Sequence, residues 1–75
     1  MTAPVIDPLA VDARGAAKLL GISRSTFLSH VAAGAAPPPL RIGRRRIWAV
    51  ATLERWLKDG APSADRFREL ERTRK

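Results

Sequence analysis

Cysteine is absent from this 75-residue chain, and so is any long apolar run. Without cysteine, the chain has no disulfide framework and no thiolate zinc site, and a single histidine makes no metal site by itself. No apolar run approaches the roughly 20 residues that span a bilayer. No basic segment followed by an apolar stretch opens the chain, so we expect neither a signal peptide nor a membrane partner. These absences fit a protein of the reducing cytosol.

Sequence patterns typical of enzymes are also missing. We find no paired nucleophile and base, no glycine-rich loop that would cradle a phosphate, and no metal-ligand spacing. Glu54 and Asp59 are interpreted as surface residues of a helix. We therefore expect a protein without catalytic activity, cofactor or small-molecule ligand.

The charge is strongly one-sided. The chain has 14 Lys and Arg residues against 7 Asp and Glu, which gives a formal net charge of +7, and 11 of the 14 are arginine. Solubility or a GC-rich genome would also explain many arginines, so their placement carries more weight than their number. The short length predicts one domain with a small core, because much of the apolar content is alanine.

Residues 11–33 have the pattern of two short helices joined by a tight turn. Asp12 is a candidate N-cap for the first helix, and Gly15 occupies the position at which a capping-box Glu would support it. Gly21 ends this helix, Ser23 caps the second, and Gly34 ends that one. The predicted inward-facing residues are Val11, Ala16, Leu19, Leu20 and Ile22 before the second helix, and Phe27 and Val31 within it.

This pattern is a helix-turn-helix, in which the N-terminal end of the second helix enters the major groove of DNA. The predicted DNA-binding residues of this recognition helix are Ser23, Arg24, Ser25, Thr26 and Ser29. Arg24 can clamp a phosphate or pair with guanine. The alternative is a plain helical hairpin in which Ser23 is only a cap.

Residues 40–48 predict a β-hairpin, which we call the wing. A stiff polyproline connector, residues 37–39, leads into it. Residues 40–42 form the first strand, residues 43–45 the tip and residues 46–48 the return strand. Its predicted DNA-binding residues are Arg41, Arg44, Arg45 and Arg46. Arginines suit the negative potential of a minor groove, whereas the alternative is a solvated charged turn.

The remaining residues supply the predicted core and the ends of the chain. A third helix over residues 49–58 turns Val50, Leu53, Trp56 and Leu57 inward, and both Trp48 and Trp56 are interpreted as core. His30 is expected to be partly buried beside Phe27. Residues 1–10 are predicted to be a flexible leader, residues 11–61 the domain, and residues 62–75 a basic tail that can form a short helix carrying Phe67 and Leu70.

The segment from Val11 to about Gly60 resembles the DNA-binding domain of phage excisionases, relatives of the MerR-type domain. The resemblance rests on Ala16-Ala17-Lys18-Leu19-Leu20-Gly21-Ile22-Ser23-Arg24-Ser25-Thr26, Leu40-Arg41-Ile42-Gly43-Arg44-Arg45-Arg46 and Leu53-Glu54-Arg55-Trp56-Leu57, in that order. It implies a mainly α fold with a small β-hairpin, the winged helix-turn-helix. Ser29, Ala32 and His30 depart from the family pattern, in which the first two positions are often basic or polar and the third is usually apolar.

The resemblance further implies a function. Excisionases bind tandem sites in an attachment region, bend the double-stranded DNA and help phage integrase to excise the prophage, as architecture without chemistry of their own. The implied partners are double-stranded DNA, integrase and neighbouring copies of the chain, and the implied location is the cytoplasm of a bacterial host, at the nucleoid.

Two other functions stay open at this point. A small prophage transcription regulator has the same fold, and a protein-interaction adaptor would use the basic surface to bind an acidic partner. A MerR-type sensor or a small terminase subunit is not expected, because 75 residues leave no room for the dimerisation and effector parts that these proteins need.

Overall fold

The computed structural model describes residues 8–74, which form four helices and three short strands. In chain order the elements are β1 (Ala10–Val11), α1 (Ala13–Leu20), α2 (Arg24–Ala32), β2 (Leu40–Ile42), β3 (Arg45–Ala49), α3 (Val50–Lys58) and α4 (Ala64–Thr73). Within this part of the chain, no helix combines the length and the apolar character needed to cross a membrane.

The ends of the first two helices lie where local chemistry predicts them. The Asp12 carboxylate accepts a hydrogen bond from the Gly15 backbone N–H at 2.9 Å. Gly21 takes the left-handed conformation that ends α1, with φ of 76°. The Ser23 hydroxyl accepts a hydrogen bond from the Thr26 N–H at 3.1 Å and so begins α2. The predicted helix, turn and helix are therefore confirmed, together with their caps.

The buried face of α1 differs from the predicted one. Ala13, Ala16 and Ala17 are buried, with Leu20 half-buried beside them, whereas Leu19 is 57% exposed. Residues 13, 16, 17 and 20 form a single helical stripe, and Leu19 lies about 100° away from Leu20 around the axis. The alanine stripe lets α1 approach its neighbours closely, so the larger Leu19 faces solvent.

Three other inward predictions are wrong for a similar reason. Leu57 is 51% exposed, because the buried stripe of α3 consists of Leu53 and Trp56. Ile22 is exposed at the turn, and His30 is exposed because α2 turns Phe27 toward the core. Helical spacing identifies a candidate stripe, but the neighbouring elements decide which stripe is covered.

The sheet contains one strand more than the predicted hairpin. It is antiparallel with strand order β1-β3-β2, in which Ala10 pairs with Ala49 and Val11 with Trp48. The Val50 N–H also donates to the Leu9 carbonyl at 2.9 Å. The flexible leader predicted for residues 1–10 is therefore corrected at Leu9 and Ala10, which gain backbone partners far along the chain. Residues 1–7 of that prediction lie outside the described residues.

The wing has a shorter turn than predicted. β3 begins at Arg45, which pairs with Ile42, so Gly43 and Arg44 alone make the turn. Gly43 has φ of 62°, as a two-residue hairpin with glycine in the first turn position requires. Arg45 was predicted in the tip and instead belongs to the strand. The β2 residues are all exposed, so neither face of this strand is buried by residues 8–74.

Aromatic side chains hold the core together. Phe27 and Trp48 meet edge to face, with ring centroids 4.9 Å apart and an interplanar angle of 71°. The Trp48 Nε1 donates a hydrogen bond to the Pro37 carbonyl at 2.8 Å, and the Trp56 Nε1 donates to the Pro62 carbonyl at the same distance. Both tryptophans are buried, which confirms their predicted structural role. The proline connector is thereby fixed to the sheet.

The C-terminal segment is a docked helix. Phe67 of α4 is buried in the core, and the Ala64 N–H donates to the Gly34 carbonyl at 2.8 Å. Arg55 of α3 donates two hydrogen bonds to the Glu71 carboxylate, at 2.9 and 3.0 Å. Arg74 donates to Asp59 at 2.7 Å, so Asp59 is half-buried in an ion pair and is not a plain surface residue.

The elements combine into a recognised architecture. α1 and α2 make the helix-turn-helix, the hairpin of β2 and β3 makes the wing, and α3 follows the wing without a break. The chain is a winged helix-turn-helix, which confirms the predicted fold class.

Candidate nucleic-acid interface

The recognition helix, α2, presents its predicted DNA-binding side chains at the surface. Those side chains, Ser23, Arg24, Ser25, Thr26 and Ser29, are all exposed. The Ser23 hydroxyl donates to the Thr26 hydroxyl at 2.7 Å while it accepts from the Thr26 N–H. Ser23 is thus committed to the helix cap. The Thr26 hydroxyl proton remains available for an outside acceptor, and so does the Ser29 hydroxyl, whereas the Ser25 hydroxyl lies 3.4 Å from the Ser23 hydroxyl.

The beginning of α2 also offers backbone donors. The first N–H groups of a helix have no acceptor within the helix, and the helix dipole adds positive potential there. Arg24 and Ser25 are the first two residues of α2, and both are exposed. This end can therefore accept a phosphate group or approach a base edge.

The wing presents four arginines at the surface. Arg41 and Arg46 lie directly opposite each other on neighbouring strands, Arg44 lies in the turn, and Arg45 is opposite Ile42. All four side chains are exposed. Like charges in directly opposed positions repel and destabilise a hairpin. A bound polyanion would relieve that repulsion.

A groove joins the helix-turn-helix to the wing, and we call it the arginine groove. Its lining residues are Asp12, Ala13, Arg14, Arg24, Arg45, Arg46 and Trp48. The structure thus brings Arg24 of the recognition helix together with Arg45 and Arg46 of the wing. Arg41, Arg44, Ser25 and Ser29 do not line this groove and lie elsewhere on the surface.

Arg14 is a member of this groove that sequence reasoning missed. It lies in the first turn of α1, outside both predicted DNA-binding segments. The signal that could have found it is the scarcity of acidic residues near it: Asp12 is the single acidic residue between positions 8 and 53. A cation in so basic a stretch is a candidate for phosphate binding.

Ion pairing separates the two halves of the described chain. Arg55, Arg66, Arg68 and Arg74, all in α3, in α4 or directly after it, pair with carboxylates. None of the arginines of the helix-turn-helix or the wing lies within 4.0 Å of a carboxylate belonging to residues 8–74. We call the helix-turn-helix and the wing, whose arginines have no ion pair within residues 8–74, the uncompensated cationic surface.

The ion pair between Arg55 and Glu71, which has two hydrogen bonds, also shifts the pKa values of its members. Hydrogen bonds from Arg55 lower the pKa of Glu71 below its ordinary value. In turn, the hydrogen bond to Glu71 raises the pKa of Arg55. Both shifts favour the charged pair that fastens α4 to α3. Across residues 8–74, no cluster of three or more His, Asp or Glu residues could hold a metal ion.

Comparison with known proteins agrees with this geometry. The family model of the helix-turn-helix domain matches residues 12–61, about two thirds of the chain. Comparison with curated proteins and with solved structures gave no match. The family match spans the Asp12 cap, the recognition helix, the wing and α3, and it ends before α4.

Proposed function

Because the chain belongs to the helix-turn-helix domain family, we propose that it is an excisionase. In this proposal it binds specific sequences in double-stranded DNA, loads on tandem sites in an attachment region, bends the DNA and promotes integrase-mediated excision of a prophage. It carries out no chemistry of its own and works in the cytoplasm of a bacterial host, at the nucleoid.

The observation that carries the proposal is the arginine groove. A helix-turn-helix alone indicates DNA binding, whereas bending the duplex requires a second contact with it. Arg24 of the recognition helix lines the same groove as Arg45 and Arg46 of the wing, so the two elements present one cationic surface. Simultaneous contact with a major groove and its neighbouring backbone follows from that shared surface.

Charge segregation supports the bending part of the proposal. All six arginines of the helix-turn-helix and the wing lack an ion pair within residues 8–74, whereas the acidic residues of positions 54–71 belong to α3, α4 and the loop between them. Bending a short site costs on the order of 1–6 kcal/mol. Neutralising phosphates along one side of the duplex offsets part of that cost, because the phosphates on the other side still repel each other.

Exposed apolar side chains support contacts with integrase and with neighbouring copies. Leu40 and Ile42 are 59% and 66% exposed on the wing, and Leu19, Ile22 and Leu57 are exposed elsewhere. None of these five side chains lines the arginine groove. Protein contacts could therefore form while DNA occupies the groove. We expect a monomer in free solution that associates cooperatively along DNA.

Gel-shift titration tests this function on two duplexes, the phage attachment arm and the promoter of the protein's own gene. Each duplex is prepared with the binding region at its centre and near one end. An excisionase gives a ladder of cooperative complexes on the attachment arm, with mobility that depends on the position of the site. One tight complex on the promoter, with little bending, would instead identify a transcription regulator.

A further inference from the structure

The arginine groove has the charge of a site for an anionic group. Resting on the proposed DNA binding, we propose that it holds a single phosphate of the DNA backbone, with Arg14 and Arg24 as its main ligands. Arg24 is then a backbone contact and not a base reader. The sequence pattern left these two roles of Arg24 open, and it assigned no role to Arg14.

The composition of the groove selects a phosphodiester as its occupant. Arg14, Arg24, Arg45 and Arg46 line the groove, against the single acidic residue Asp12. Guanidinium forks bind phosphate oxygens through paired N–H donors. Because these arginines have no carboxylate partner within residues 8–74, their donors are free for such an anion.

The groove does not suit a nucleotide base. Trp48 is its one aromatic lining residue, and it is only 1% exposed, so its ring offers no open face for stacking. Its Nε1 donor is already bonded to the Pro37 carbonyl. What remains accessible is a cluster of cationic donors, which fits the phosphate and not the base of a nucleotide.

The position of Arg24 then limits what it can read. Arg24 is the first residue of α2, and it shares the groove with Arg14 from the preceding helix. A guanidinium that holds a phosphate there cannot also form a bidentate pair with guanine. Base reading consequently falls to the exposed residues Ser25, Thr26 and Ser29, of which Ser25 and Ser29 lie one turn apart on the same helical face.

Alanine variants of Arg14 and Arg24 test the assignment. The probes are a duplex selected from a random library by the wild-type protein and a scrambled duplex of the same composition. We expect each variant to bind both duplexes about tenfold more weakly and to lower the log–log salt slope by about 0.9. Arg72→Ala is the matched control, because Arg72 is an exposed arginine of α4 outside the groove.

Asp12→Asn should change DNA affinity in the opposite direction. Asn is as good an N-cap as Asp, so α1 keeps its cap while the groove loses its negative charge. We expect severalfold tighter binding to both duplexes. Glu54→Gln is the control, since it removes an exposed carboxylate outside the groove. Equal effects of the two substitutions would contradict a phosphate beside Asp12.

Neutral methylphosphonate linkages then locate the phosphate. Placed one at a time along the selected duplex, they should weaken wild-type binding at several positions. At one of these positions, the neutral linkage should not weaken DNA binding by the Arg14→Ala variant any further. The substitution has already removed the interaction between Arg14 and that phosphate. Additive losses at every position would overturn the groove as a phosphate site.

The outcomes separate this inference from the proposed function. If the wild-type protein selects no duplex from the library, both the proposed function and this inference are wrong. Specific wild-type binding, with Arg14→Ala indistinguishable from Arg72→Ala, defeats the inference alone. A loss for Arg24→Ala confined to the selected duplex would make Arg24 a base reader. Titration with inorganic phosphate is the last arm: saturation at micromolar concentration would identify a small-phosphate site instead of a DNA contact. Far-UV circular dichroism checks that every variant is folded.

Discussion

At the scale of single residues, Gly15 occupies a position that a larger residue cannot share. A β-carbon at Gly15 would lie 2.8 Å from the Val11 Cβ, which is attached to the backbone and cannot rotate away. A Glu at position 15, which would complete a capping box with Asp12, would meet the same obstacle. Glycine therefore permits the close approach between β1 and α1.

We expect Gly15→Ala to lower the free energy of unfolding by about 1–2 kcal/mol because of this overlap. The sign of this change is informative, because helix propensity alone would make the variant more stable. Alanine is about 1 kcal/mol more favourable than glycine within a helix. Urea denaturation followed by circular dichroism measures the change. Leu19→Ala in the same helix is the control and should change stability by only about 0.5 kcal/mol. A more stable Gly15→Ala variant would contradict the close contact.

Trp48 joins three parts of the molecule through one side chain. We expect Trp48→Phe to cost about 2–3 kcal/mol, because the buried Pro37 carbonyl loses its donor and the smaller ring leaves a cavity beside Phe27. Thermal and urea unfolding measure the loss. Leu57→Ala is the comparison, since that side chain is half exposed and its removal leaves little space to fill. Equal losses would mean that the indole hydrogen bond contributes nothing.

At the scale of elements, the sequence predicts the features that depend on residues close together in the chain. The caps at Asp12 and Ser23 and the turn at Gly21 depend on residues within one helical turn, and the structure has them where the pattern predicts. The exposure of Leu19 and the pairing of β1 depend on elements elsewhere in the chain. A two-residue strand has no pattern of its own, because its existence is decided by partners 37 and 39 positions away.

The candidate site likewise has parts that the local sequence predicts and parts that depend on the packing of distant elements. Its recognition helix and wing were predicted from local signals, namely a capped helix start and four arginines within six positions. The groove between them was not, because it depends on how the wing packs against α1. Arg14 is the residue that this packing adds, and no spacing rule connects it with Arg24 or Arg46.

Helix α4 is fastened to the domain by ion pairs, so its docking should depend on pH. The lowered pKa of Glu71 means that its stabilising contribution is present above the unfolded-state pKa, about 4.5. That contribution is lost as the pH falls below this value and through the folded-state pKa. Amide hydrogen exchange along α4 should therefore accelerate in acid relative to exchange in α1.

Glu71→Gln should remove that part of the pH dependence, because the glutamine cannot titrate. Glu69→Gln is the matched control: Glu69 lies on the same helix, and its ion pair with Arg66 is exposed. If amide exchange in α4 of the Glu71→Gln variant still accelerates in acid to the same extent, a group other than Glu71 causes the pH dependence.

At the scale of the whole molecule, the uncompensated cationic surface should set the salt dependence of DNA binding. Six arginines lie on the helix-turn-helix and the wing, and each neutralised phosphate contributes about 0.9 to the log–log slope. With all six arginines at phosphates, we expect a slope of about 5 in magnitude, measured by fluorescence anisotropy between about 50 and 200 mM salt.

Changing Arg44, Arg45 and Arg46 together to alanine should flatten this slope by nearly three units. The matched control changes Arg66, Arg68 and Arg72 of α4 to alanine. It removes the same formal charge from the other half of the molecule and should leave most of the slope in place. A slope that the wing variant leaves unchanged would rule out the wing as a DNA contact.

The placement of the two tryptophans gives the molecule built-in optical reporters. The chain has no tyrosine, so Trp48 and Trp56 dominate its near-ultraviolet emission. Trp48 lines the arginine groove, whereas Trp56 is bonded to Pro62 just before α4. A variant that keeps only Trp48 would report occupancy of the groove, and one that keeps only Trp56 would report the docking of the last helix. Anion binding and helix undocking can then be followed as two separate signals in one unlabelled protein.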